Sequence, residues 1–153
     1  IWDPVAAQIC ISAGIGAEIP LRFGAKSAPG TGEPIDAIVR VVNVVRNAQT
    51  RFGQSEVPFG DCVVIDVAGI EVILNTVRAQ CFDRTVFDVM GIDPTQKRLL
   101  VVKSTNHFYA SFSQFAAEII WCAAGHPYPN TPATNAYRKV RRDIWPMIEN
   151  PFG

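Results

Sequence analysis

Histidine is scarce in this chain: of 153 residues only His107 and His126 carry an imidazole, and 18 residues separate them. Zinc sites draw three or four His, Cys or carboxylate ligands from short, regular spacings. Positions i+3 and i+4 from His107 hold Ala110 and Ser111 instead. The four cysteines, Cys10, Cys62, Cys81 and Cys122, include no C-x-x-C pair. A metal site built from this chain alone is therefore not expected. Excess charge is also missing, with 14 basic against 14 acidic residues. That balance argues against nucleic acid or an anionic membrane as the main partner. No apolar run approaches the ~20 residues of a membrane span.

Other signatures are lacking too. No G-x-S-x-G elbow is present, and Ser104 and His107, three apart across a turn, are poorly placed as nucleophile and base. No cysteine stands in basic surroundings that would activate it. Gly14-Ile15-Gly16 follows a helical pattern, whereas the dinucleotide fingerprint follows a strand; it reads as a helix C-cap. The Gly- and Pro-rich residues 24–34 lack the Gly-Lys-Ser/Thr ending of a phosphate loop. They read as a surface loop, with a flap over a neighbouring site as the alternative.

What is present is apolar material: 48% of residues, with mean hydropathy +0.15. This suits one domain whose sheet is covered on both faces, or one that lacks a partner domain. Asp3 and Pro4 open a helix whose stripe is Val5, Ile9 and Ile11, ending at Gly14. Residues 17–23 alternate as a strand with Pro20 at an edge. Residues 35–45 are β-branched and read as a long strand. Residues 47–60 read as a polar loop. Residues 62–67 and 70–77 form a hairpin around Ala68-Gly69. A short helix over 84–90 is capped by Asp83, and Asp93-Pro94 starts a turn. Residues 99–103 and 118–123 are further strands, on either side of a helix over 107–115 with Phe108, Phe112 and Phe115 on one face. The fold class is α+β: a mixed, mostly antiparallel sheet of about six strands with three or four short helices. Cys10, Cys62 and Cys122 lie in apolar runs and read as buried, reduced thiols in a cytoplasmic protein.

The apolar run Leu99-Leu100-Val101-Val102 stops at Lys103, Ser104, Asn106 and His107. Functional groups gather where a buried strand turns out to solvent, so this elbow is the candidate ligand site. Ser, Thr and Asn at a helix start also serve as caps, and both readings stand at this point. The cluster Arg138, Lys139, Arg141 and Arg142 reads as an interdomain salt-bridge surface.

Lys103-Ser104 followed by His107-Phe108 resembles the "KS-x-x-HF" signature of the C-terminal domain in the microcystinase C (MlrC-type) zinc metallopeptidase family. Asp3-Pro4 with Ala13-Gly14-Ile15-Gly16-Ala17 resembles its "DP…aGvGa" segment. Arg78, Gln80 and Asp83 resemble its "R-x-Q-x-x-D". Gly91-Ile92-Asp93, Ala117-Glu118-Ile119-Ile120 and Tyr137-Arg138 to Arg142 follow in order. The tail departs at Asp143, where the family has proline.

The resemblance implies a single C-terminal domain over residues 1–153, part of a larger two-domain protein. The whole protein would cleave amide bonds in small linear peptides with zinc held by the other, N-terminal domain and no metal ligand on this chain. His107 would hydrogen-bond the oxyanion or leaving amine. Lys103 would hold a substrate carboxylate, Ser104 would orient either His107's partner or that carboxylate, and Asn106 would join them in binding the substrate. The partners implied are the N-terminal domain, the peptide and possible second copies of the chain. The rival reading is a structural or binding module with the same fold and no catalysis.

Overall fold

The computed structural model describes residues 1–27, 31–104, 106–122 and 137–152. It divides into two units, Ile1–Ile119 and Ile120–Gly153. In the first, helix α1 (Pro4–Ala13) is followed by strands β1 (Glu18–Phe23), β2 (Ile35–Phe52), β3 (Ser55–Val67) and β4 (Ile70–Asn75). Then come the single-turn helices α2 (Thr85–Asp88) and α3 (Tyr109–Phe112), separated by a 3-10 turn over Pro94–Gln96. The strands form one antiparallel meander in the order β1-β2-β3-β4. The fold is thus α+β. The expectation of about six strands is corrected to four among the described residues, since residues 99–103 and 118–122 are irregular.

The meander follows from its turns. Ala68 and Gly69 both have positive φ, 51° and 86°. A two-residue type I′ hairpin loop requires that, and its twist matches the strands. Phe52 pairs with Ser55, so Gly53-Gln54 is also a two-residue loop, with Gly53 at φ 60°. The expected polar loop over 47–60 is therefore a strand hairpin. Ala48 and Thr50 point inward while Asn47, Gln49 and Arg51 are exposed. This is strand alternation carried by residues too small or too polar to announce it. Register shifts beside Asn43, Ala48 and Gln49 bend β2, as bulges do. Asp61 secures the bulge by accepting from the Asn47 amide (3.0 Å) and Arg46 (2.7 Å).

Strand β3 explains the two cores. Val63 and Ile65 join Leu21, Phe23, Val39, Val41 and Leu74 under α1. Cys62 and Val64, one residue out of phase, join Ala48, Phe59, Val86, Met90 and Ile92 on the opposite face. With both faces covered, the run from Cys62 to Ile65 is wholly buried.

Helix α1 is capped as its sequence predicts. The Asp3 carboxylate accepts from the Ala6 amide (3.1 Å), Pro4 stands in the first turn, and Gly14 ends the helix at φ 87°. Its packed face differs from the expected stripe. Ala6, Ala7 and Cys10 are buried, whereas Val5 and Ile9 are exposed. Small side chains let the helix axis lie close to the sheet, and Asp3 fixes its rotation from below. The same carboxylate accepts from the Gly24 amide (3.0 Å) and from Lys26 (2.8 Å). Burial pushes Asp3 up, but Lys26 and the two amides outweigh that and hold it below the usual carboxylate range.

In the second unit the described tail has no regular element. Arg141 pairs with Asp143 (2.5 Å), Arg142 donates to the Tyr137 carbonyl (2.8 Å), and a turn closes between Ile144 and Ile148 around a cis Trp145–Pro146 bond. Cys122 is exposed, correcting the expectation that its apolar run buries it. All four cysteines are free thiols. No helix among the described residues is long and apolar enough to cross a membrane.

Candidate functional site

The groove around His107 begins with packing. Phe108 and Phe112 are buried, and Phe112 meets Phe87 edge-on at 6.1 Å and Phe115 at 5.5 Å. These rings hold α3 against α2 by aromatic contact. Polar bonds fix the same junction. The Arg84 amide donates to the Ser111 hydroxyl (3.0 Å), and that hydroxyl bonds the Asp83 carboxylate. Asp83 also accepts from the Thr85 amide (2.9 Å). Thr85 in turn meets the buried Thr50 hydroxyl at 2.9 Å and accepts from the Arg51 amide at 3.1 Å. The tip of the β2–β3 hairpin is thereby tied to α2 and to the segment that carries His107.

With Phe108 anchored inward, its neighbour His107 is exposed. The imidazole stands edge-on to Phe52 (5.0 Å between ring centres) and to Phe82 (5.7 Å), and these two rings touch each other at 4.6 Å. Its nitrogens have no hydrogen-bond partner among the described residues. Around it opens a groove of about 550 Å³. One wall is Phe52, Gly53 and Gln54 from the hairpin tip; another is Phe82 and Asp83. The floor is Asn106, His107, Tyr109, Ala110, Ser111 and Gln114.

Of the residues expected at the site, Asn106 and His107 line this groove, while Lys103 and Ser104 lie outside its lining. Lys103 is exposed. Ser104 is half-buried, and its hydroxyl is shielded from water with no hydrogen-bond partner among the described residues. The expected strand-elbow-helix is an irregular segment followed by a single helical turn over Tyr109–Phe112. His126 lies outside the described residues.

Sequence reasoning missed Phe52, Gln54, Phe82 and Gln114. The usable signal was an aromatic residue beside Gly53, where a hairpin tip exposes it. Asp83 accepts from the Thr85 amide at the start of α2, as its sequence position predicts, and it also faces the groove. Burial raises its pKa, and the Thr85 amide, the Thr85 and Ser111 hydroxyls and Arg51 more than offset this, so Asp83 stays a carboxylate. Burial pushes the Cys81 and Cys62 thiols up to about 12, which keeps both as unreactive thiols at neutral pH.

The described residues do not fit a zinc ion. His107 is flanked by phenyl rings, and among the described residues no three His, Cys, Asp or Glu side chains converge to hold a metal. What the groove offers is a neutral-to-acidic hydrogen-bonding floor with an apolar rim.

Comparison with known proteins gives a consistent picture. The family model described as MlrC C-terminus matches residues 1–139. A protein from Sphingomonas sp. named microcystinase C is 31% identical over 147 residues, which is 96% of this chain and 28% of that protein. The fold is shared with a crystal structure of a candidate metallopeptidase from Mesorhizobium sp. BNC1. The TM-score is 0.70 at 23% identity, over 76% of this chain and 24% of the other. The chain thus spans about a quarter of the length of the relatives it matches.

Proposed function

Because the chain belongs to the MlrC C-terminus family, we propose that it forms one wall of the substrate cleft in a longer, metal-dependent hydrolase acting on amide bonds of small linear peptides. Ligand sites favour clefts between domains. The observation that carries the reading is His107: an imidazole with no hydrogen-bond partner among the described residues, set in an open groove beside a pair of phenyl rings. In this reading the metal of the whole protein is held outside the described residues, among which no three His, Cys, Asp or Glu side chains converge. A cytoplasmic setting accords with the four free thiols.

In this reading a peptide lies against the rings of Phe52 and Phe82. Its amide groups exchange hydrogen bonds with Asn106 and Gln114. His107 hydrogen-bonds the oxygen on which negative charge grows, or the amine that leaves. Such a bond accelerates the reaction only if it is stronger in the transition state than with bound substrate. Asp83 does not itself move a proton; its bonds to Ser111 and Thr85 hold the floor and wall of the groove in register.

The test uses the full product of the gene with its metal. His107→Ala lowers kcat/KM about 100-fold, the effect of losing one donor to a developing oxyanion, while metal content measured by elemental mass spectrometry stays unchanged. Unaltered kinetics would overturn the catalytic role and leave the domain as a structural module. Lost metal would make His107 a ligand.

A further inference from the structure

Residues 99–103 belong to no helix and pair with no strand, and their backbone makes no hydrogen bond with any described residue. Their side chains alternate as in a sheet. Leu100 and Val102 are half-buried, while Leu99 and Val101 are 78% and 85% exposed. Unpaired N–H and C=O groups along an extended apolar segment form a template for another strand.

The flanks indicate what completes it. Arg98 and Lys103 are exposed and make no ion pair among the described residues, whereas the adjacent Lys97 pairs with Glu71. A second copy pairing in register over the four apolar residues would set Arg98 against Lys103 if antiparallel. If parallel, it would set each cation against itself. Like charges directly opposite destabilise a strand pair. An apolar strand flanked by carboxylates has no such penalty. The relatives are more than three times as long as this chain, so such a segment can come from the same polypeptide.

We propose that residues 99–103 are an open strand, completed by an extended, acid-flanked apolar segment from the remainder of the longer polypeptide. The proposal rests on the reading that the chain works within such a polypeptide, but not on catalysis by His107. The docked strand would lie a few residues from Asn106 and His107 along the chain, which is how the remainder of the protein would be held beside the groove.

Backbone hydrogen exchange read by mass spectrometry tests this without metal or turnover. In the isolated 153-residue chain the amides of 99–103 exchange like those of an unstructured peptide. In the full product of the gene they slow by about 100-fold, as ladder amides do. Val101→Pro removes one N–H and abolishes that protection, while the amides of Cys62 to Ile65 stay protected and show that the domain is folded. Val101→Thr retains it. Reversing Arg98 and Lys103 together to Glu reduces it about tenfold; no reduction would overturn the acidic flanks. Fast exchange in both forms overturns the proposal, as does protection of the isolated chain that rises with its concentration, which would mean self-pairing. A His107→Ala protein with unaltered kinetics but protected 99–103 would remove the catalytic reading alone.

Discussion

Strand β4 and residues 99–103 are close in composition. One reads Ile70-Glu71-Val72-Ile73-Leu74-Asn75, the other Leu99-Leu100-Val101-Val102-Lys103, both apolar, β-branched and ended by a polar residue. Only the first is a strand. The difference lies in what precedes each. Ala68-Gly69 folds β4 back onto β3 with six residues in register, so its amides are matched and Leu74 is fully buried. Residues 99–103 follow the turn over Pro94–Gln96 and a loop that brings them to no free edge. A strand is a relation between two segments, and β-propensity measures only one of them.

Mutation should separate the two segments sharply. In urea unfolding of the isolated chain, Leu74→Ala costs about 2–5 kcal/mol, the range for emptying a buried leucine site. If it costs no more than an exposed substitution, the contrast fails. Next in size is Asp3→Ala, at about 2 kcal/mol from a lost helix cap and an unmatched Gly24 amide.

Asp3 has a pH signature too. Its folded pKa is lowered, so its stabilisation is complete above the ordinary value of about 4. It fades as pH falls from there towards the folded value. Asp3→Asn should flatten the fall of stability with acid below about pH 4 relative to the parent chain. An identical acid profile would show that the Lys26 contact contributes nothing.

A smaller loss follows at Gly60, where a Cβ would sit 2.4 Å from the Thr76 hydroxyl and the φ of 81° already disfavours a side chain. Gly60→Ala should cost about 1–3 kcal/mol through this overpacking, read as a lowered Tm. Smallest of all, Val101→Ala should leave the isolated chain within about 0.5 kcal/mol of the parent. A larger loss would mean that the segment is already docked.

The same contrast explains what was legible in the sequence. Features fixed by local chemistry were readable: the Asp3-Pro4 helix start, the Gly14 stop, the Ala68-Gly69 turn and the Asp83 cap. The class followed from them, and so did the Phe108–Phe112–Phe115 face. Features fixed by distant partners were not. Residues 47–60 hide a hairpin because Ala48 and Thr50 bury so little that the alternation is faint. The α1 stripe misled because Val5 and Ile9 are larger than the Ala6, Ala7 and Cys10 that actually pack. At the groove, His107 and Asn106 were visible from their place in a polar elbow. Phe52 comes from a hairpin tip 55 positions before His107, and no local pattern links the two.

The anchoring of α1 has a consequence for the order of events during synthesis. Trp2 bridges Asn75 in a parallel contact, its indole donates to the Thr76 carbonyl 74 positions away, and Arg78 stacks over its ring at 5.6 Å. The helix leaves the ribosome well before the strand that receives it. At the usual 5–20 residues per second the wait is roughly 4–15 s. An isolated ten-residue helix is marginal in water over that interval, and its small buried face gives it little to nucleate on. The expected order is therefore that the meander closes first and α1 docks on it afterwards.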